Sequence, residues 1–173
     1  MVAADKDLII FRTFSKIYGM AGIRCGFALG RPDLLAKLQP YGQNAMPITG
    51  SAAANVSLLD ADLVPTRKKI IADTRNDTFA FLTANGYKFI PSQSNCFMID
   101  TGRKVTDVIS AMCAKNVFIG RTWSIWPNSV RVSVGTPAEM AKFKTAFKEV
   151  MDSTPQTADL HDSSADFAFP QLS

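Results

Sequence analysis

Lys16 and Arg24 stand eight positions apart, with Ser15 directly before the lysine and glycines at 19, 22 and 26 along the same stretch. A lysine amine made nucleophilic by desolvation or by a neighbouring cation can form a Schiff base with a carbonyl. A guanidinium offers a planar fork of donors to phosphate, a serine hydroxyl adds a neutral donor, and glycine lets backbone approach a ligand closely. These residues suit an anionic ligand held both by a covalent amine and through a phosphate. The same spacing also suits two surface cations around a glycine-rich turn, the common situation for Lys and Arg.

A second constellation lies far along the chain, where Arg121 and Arg131 flank Trp123, Trp126 and Pro127. In Val130-Arg131-Val132-Ser133-Val134-Gly135 the arginine interrupts an apolar strand pattern. Burying an unpaired charge costs several kcal/mol. Either the strand is an edge with Arg131 in water, or the guanidinium is kept for a partner.

The elements that must position these residues can be read from pattern. Leu8-Ile9-Ile10-Phe11 is a continuous apolar run, expected as a buried strand of a parallel or mixed sheet. Cys25 to Gly30 reads as a second buried strand, so the lysine segment lies at a strand end, where α/β folds place ligands. Pro32 opens a short helix to Leu38, and Pro40 to Asn44 breaks it. Thr49 to Leu59, rich in small residues, predicts a closely packed helix capped by Thr49 or Ser51. A long helix is expected from Asp62 to Asn85, with Leu63, Ile70, Ile71, Thr74, Thr78, Phe81 and Leu82 on one stripe and Asn85-Gly86 as its stop. Its early turns carry Arg67-Lys68-Lys69, which read as a solvated face.

From Tyr87 the pattern shortens. Strands are expected at Tyr87–Ile90, Cys96–Ile99, Val117–Gly120 and Val130–Val134, and an amphipathic helix at Val105–Lys115. Thr136-Pro137-Ala138-Glu139 has the form of a capping box with proline in the first turn, opening a helix whose stripe is Met140, Phe143, Phe147 and Val150. The fold class is α/β, with a sheet covered by helices on one face. Asn95, beside the strand leading to the second constellation, is assigned a structural role first. Ser153 to Ser173 lacks periodicity and is expected to be disordered or loosely docked, and its His161 is not a catalytic candidate.

Composition narrows the classes. The chain has 173 residues, enough for one good core or a small domain plus part of another. All 19 basic residues but only 12 of the 15 acidic ones lie in residues 1–152, a net +7 for the body against +4 overall. No basic run exceeds Arg67-Lys68-Lys69 and no aromatic ladder accompanies it, so nucleic acid is not an expected partner. Three separated cysteines, Cys25, Cys96 and Cys113, with a single histidine argue against a metal site and read as buried free thiols. No stretch approaches a membrane span, and Met1 to Asp7 is not a signal peptide.

Ser15-Lys16, the glycine-rich loop and Arg24, followed by Arg131-Val132-Ser133-Val134-Gly135-Thr136, resemble the signatures of fold-type I pyridoxal-phosphate-dependent aminotransferases. The two motifs occur in the family's order, and within the family the chain looks most like the histidinol-phosphate aminotransferase branch. The resemblance implies that Lys16 binds pyridoxal 5'-phosphate covalently and catalyses, that Ser15 and Arg24 hold the cofactor phosphate, that Arg131 grips the substrate α-carboxylate, and that Arg121 meets a distal anionic group. It implies residues 1–60 as the end of a large cofactor-binding domain and 61–152 as the small C-terminal domain. It further implies transfer of an amino group between histidinol phosphate or an aromatic amino acid and 2-oxoglutarate, in amino-acid biosynthesis, by a homodimer; a cytoplasmic location is expected, with export of the parent left open. Trp123 and Trp126 depart from the branch and favour an aromatic substrate. A related decarboxylase and a non-catalytic anion-binding fragment are the alternatives. A full enzyme of this family has a long preceding region that supplies the acid at the pyridinium nitrogen, the stacking aromatic ring and the hydroxyl near O3′. The chain is therefore expected to be a C-terminal part, inactive by itself, with an exposed sheet edge near Leu8–Phe11.

Overall fold

The computed structural model of the chain describes residues 6–42 and 46–153. Two compact units divide it, Met1–Ile70 and Ile71–Ser173, with the boundary inside one long helix.

The first unit begins with β1 (Ile10–Thr13), which pairs antiparallel with β2 (Gly26–Leu29), Thr13 opposite Gly26 and Ile10 opposite Leu29. The apolar run thus forms a strand two residues later than expected. Its partner is antiparallel, and Phe11 is 71% exposed rather than buried. A continuous apolar run does not encode strand direction; here the connecting loop returns the chain alongside itself. Helices α1 (Pro32–Leu38) and α2 (Ile48–Leu59) follow. Neither Thr49 nor Ser51 caps α2: Pro47 occupies the cap position, and both residues fall inside the first turn, where the Ser51 N–H already donates to the Pro47 carbonyl.

Helix α3 (Leu63–Ala84) buries Thr74, Arg75, Thr78 and Leu82. It ends in paired bonds, Tyr87 N–H to the Leu82 carbonyl and Gly86 N–H to the Thr83 carbonyl, that satisfy two of its last carbonyls. Ile70, expected on the buried stripe, is exposed.

In the second unit, β3 (Lys88–Ile90), β4 (Cys96–Asp100) and β5 (Ser129–Ser133) form an antiparallel sheet in that order. Phe97, Ile99, Val130 and Val132 alternate onto one face. There they pack in one core with Leu82 of α3, with Val108 and Met112 of α4 (Val105–Ala114), and with Phe143, Phe147 and Val150 of α5 (Pro137–Ser153). The alternate residues Met98 and Arg131, opposite one another across the β4–β5 ladder, lie on the other face and are half-buried. Cys25 is buried and Cys96 half-buried, but Cys113 is exposed, because one helical step turns it away from buried Met112.

Val117–Gly120 is not a strand. The Gly120 N–H donates to the Arg131 carbonyl of β5 at 3.2 Å, without a regular ladder forming along the segment. Gly120, at φ +147°, takes a conformation that interrupts a regular ladder. The tail beyond Ser153, including His161, lies outside the described residues; Ser153 itself closes α5.

The Thr136–Glu139 capping box forms in full. The Thr136 N–H and Oγ1 donate to Glu139 Oε2 at 2.7 and 2.8 Å, and the Glu139 N–H donates back to Thr136 Oγ1 at 3.3 Å. The backbone N–H first, then the hydroxyl, hold the Glu139 carboxyl below its ordinary value. A depressed carboxyl contributes stability that is present above the ordinary glutamate value and lost as pH falls through the lowered one. Thermal unfolding followed downward through the carboxylate range is expected to show this loss, and Glu139→Gln to remove that part of the pH dependence.

Candidate active site

The segment carrying Ser15, Lys16 and Arg24 closes the β1–β2 pair. Beyond Thr13 and Gly26 one more rung forms, the Phe14 N–H donating to the Cys25 carbonyl at 3.1 Å. Ser15 and Arg24 are the next residues on the two arms of the loop. The Ser15 N–H bonds Thr13 Oγ1 at 3.0 Å. The Met20 N–H returns to the Phe14 carbonyl at 3.0 Å and the Gly19 N–H to the Lys16 carbonyl at 2.8 Å.

The loop has an inside and an outside. Phe14, Met20 and Cys25 are buried together with Ala54 of α2, and the Phe14 ring also meets those of Tyr18 and Phe27 at 4.7 and 5.8 Å. Small residues let α2 come close, since a Cβ on Gly50 would stand only 3.3 Å from Ile23 Cγ2. Lys16 and Arg24 are exposed and Ser15 is half-buried. Phe14, Met20 and Cys25 anchor the loop from within, which leaves Lys16 and Arg24 at its surface.

Arg24 has φ 59° and ψ 56°, a left-handed conformation, and its Nη1 donates to the Ala21 carbonyl at 2.9 Å. That conformation costs a non-glycine residue about 1–2 kcal/mol, and strain of this kind concentrates at ligand sites. Sequence reading singled out this arginine by spacing, with no sign of its backbone state.

Arg121 and Arg131 are neighbours through their backbones, the Arg131 N–H donating to the Arg121 carbonyl at 3.3 Å. Arg121 is exposed. Arg131 is half-buried, and its Nε is buried with no hydrogen-bond partner among the described residues. An unpaired buried donor costs about 1–3 kcal/mol, so this guanidinium retains a position for an acceptor. Between the arginines the chain turns through Trp123 and Trp126, joined by a 3.0 Å backbone bond, with ring centroids 6.1 Å apart at 66°. Trp126 is 39% exposed. Asn95 acts through its backbone: its carbonyl accepts the Val134 N–H at 2.9 Å and fixes the end of β5.

Two arginines escaped the sequence reading. Arg75, 6% exposed, donates to the Ser94 carbonyl at 3.3 Å and Gln93 Oε1 at 3.2 Å, steadying the turn just before Asn95. Its position beside the Thr74–Thr78 stripe was the available signal. Arg67 reaches the lysine loop from α3; nothing in a basic triplet distinguishes it from its neighbours.

The family model for aminotransferase class I and II matches residues 1–147. Histidinol-phosphate aminotransferase from Symbiobacterium thermophilum is 32% identical over 150 residues, covering 84% of this chain and 41% of that protein. The aromatic amino acid aminotransferase of Mycobacterium tuberculosis is 33% identical over 144 residues, covering 83% and 40%. Among solved structures, histidinol-phosphate aminotransferase from Sinorhizobium meliloti, in complex with pyridoxal-5'-phosphate, superposes with a TM-score of 0.74 at 28% identity, over 84% of this chain and 41% of that one. The chain spans about two fifths of the length of these relatives. A serine–lysine loop closing an antiparallel strand pair, a strained arginine on its far arm, and a family match over residues 1–147, reaching past β5 into α5, together place this chain in the class I and II aminotransferase family, with the α/β fold of its type I members.

Proposed function

We propose that this chain is the part of a pyridoxal-phosphate-dependent aminotransferase that carries the cofactor lysine and the substrate arginines. The enzyme would move an amino group between histidinol phosphate or an aromatic amino acid and 2-oxoglutarate. The observation that carries this reading is the loop of residues 14–25, whose Phe14, Met20 and Cys25 are buried and whose Lys16 and Arg24 are exposed. Its donor set fits the cofactor: a lysine amine for an aldehyde, and a hydroxyl and a guanidinium for a phosphate dianion.

Residues 1–60 would be the end of the large domain and 61–152 the small domain. Lys16 would hold the cofactor covalently and, as a free amine during turnover, take the proton from the substrate Cα. Ser15 and Arg24 would bind the phosphate. When bound, the cofactor ring supplies an electron sink. Arg131, with its unpaired Nε, would orient the α-carboxylate, and Arg121 would meet a distal phosphate or carboxylate. A homodimeric, cytoplasmic enzyme of amino-acid biosynthesis is the setting that family membership supports.

The tryptophan pair following Arg121 favours an aromatic amino acid over histidinol phosphate as the donor. Substrate profiling of the intact enzyme with histidinol phosphate against phenylalanine separates the two. In that enzyme Arg131→Ala is expected to raise KM for the amino acid by about tenfold to a hundredfold, the range for losing a hydrogen bond to a charged group. A much larger loss in kcat than in KM would remove the carboxylate role.

The direct test is an absorbance spectrum of the chain with pyridoxal 5'-phosphate, before and after borohydride, with mass analysis of the peptide bearing Lys16. A reduced adduct concentrated on Lys16 supports the reading, and adducts spread over the surface lysines count against it.

A further inference from the structure

Arg67 opens the basic triplet at the start of α3, a position that by pattern belongs to a solvated helix face. Its guanidinium turns back across 50 positions of sequence, and Nη1 donates to the carbonyl of Ile17 at 3.0 Å. Ile17 directly follows Lys16. The carbonyl of Lys16 itself accepts the Gly19 N–H, so the two carbonyls that set the direction of the chain leaving Lys16 are both engaged. Gly19 makes room for this arrangement: its φ is +69°, and a Cβ there would lie 3.3 Å from Arg67 Nη1. The buried Phe14 and Met20 bracket the stretch of the loop that carries Lys16. Arg67 holds its middle.

We propose that Arg67 is a positioning residue for Lys16. By bonding the peptide that follows the lysine, it limits the loop to the conformation in which the amine leaves at one fixed angle, and it adds a cation to the rim of the loop. The inference rests on the reading of Lys16 as the residue that binds pyridoxal phosphate.

The test compares the chain with Arg67→Met and Arg67→Lys in two measurements. The first is hydrogen exchange at the Gly19 amide, which needs no cofactor. The second is the share of borohydride-trapped pyridoxal 5'-phosphate found on Lys16 relative to the other lysines. Arg67→Met is expected to speed Gly19 exchange about fivefold, as for a single exposed hydrogen bond, and to lower the Lys16 share by a similar factor with an unchanged melting temperature. Arg67→Lys is expected to restore most of both, because an ammonium also donates to a carbonyl. Unchanged Gly19 exchange in Arg67→Met overturns the inference whatever the cofactor does. Faster exchange with an unchanged Lys16 share overturns it too, since the loop would then be pinned with no consequence for the amine. A parent chain with no preference for Lys16 removes the cofactor reading and the inference with it, leaving Arg67 a structural contact.

Discussion

Lys16→Ala is expected to remove the reduction-stable pyridoxyl adduct from the peptide spanning residues 14–25 while leaving the fold of both units unchanged. Lys16 is exposed and outside the buried cluster of Phe14, Met20, Cys25 and Ala54, so truncating it opens no cavity. Its peptide carbonyl, which accepts the Gly19 N–H, survives the substitution. The loss is therefore chemical: the nucleophilic amine and the base are the same atom. In the intact enzyme, deleting a base alone lowers turnover on the order of 10²–10⁴-fold, and loss of the covalent attachment adds to that. Thermal denaturation serves as the control. An undiminished total yield of adduct per chain in Lys16→Ala, carried by the remaining lysines, or a yield that falls only because the protein unfolds, would count against Lys16 as the cofactor lysine.

Phe147→Ala carries the largest expected cost to folding. Phe147 is fully buried in α5, stacks on Phe143 with ring centroids 5.2 Å apart, and meets Tyr87 edge-on at 5.1 Å. It thereby joins α5 to the segment leading into β3. Truncating a phenylalanine in such a place costs about 3–5 kcal/mol, the lost transfer energy plus the cavity left behind. Against a total stability of about 5–15 kcal/mol this brings the second unit close to unfolding, and denaturant titration should show a large fall in midpoint. Phe147→Leu, which refills part of the volume, should recover much of it. A change below about 1 kcal/mol, the size of an ordinary surface effect, would mean that α5 does not pack through this ring.

Wherever one periodicity ruled a segment, the sequence by itself determined the element. α3, α4 and α5 fall within a residue or two of their expected bounds because apolar spacing and end signals agree, with a Gly86 stop at one end and a Thr136–Glu139 start at another. β3, β4 and β5 were legible for the same reason. The order of Ser15, Lys16, Arg24, Arg121 and Arg131 is a local property of the sequence, and so is the family that order resembles.

What tertiary structure decided was every matter that depends on a distant partner. Strand direction in β1 follows from how the loop returns, and the failure of Val117–Gly120 to become a strand follows from one backbone angle at Gly120 beside β5. The left-handed Arg24, the unpaired Nε of Arg131 and the reach of Arg67 to Ile17 leave no mark in composition or period. A hydrogen bond across 50 residues costs loop-closure entropy that only the packed core offsets, so it is specified by the whole unit and by no segment of it.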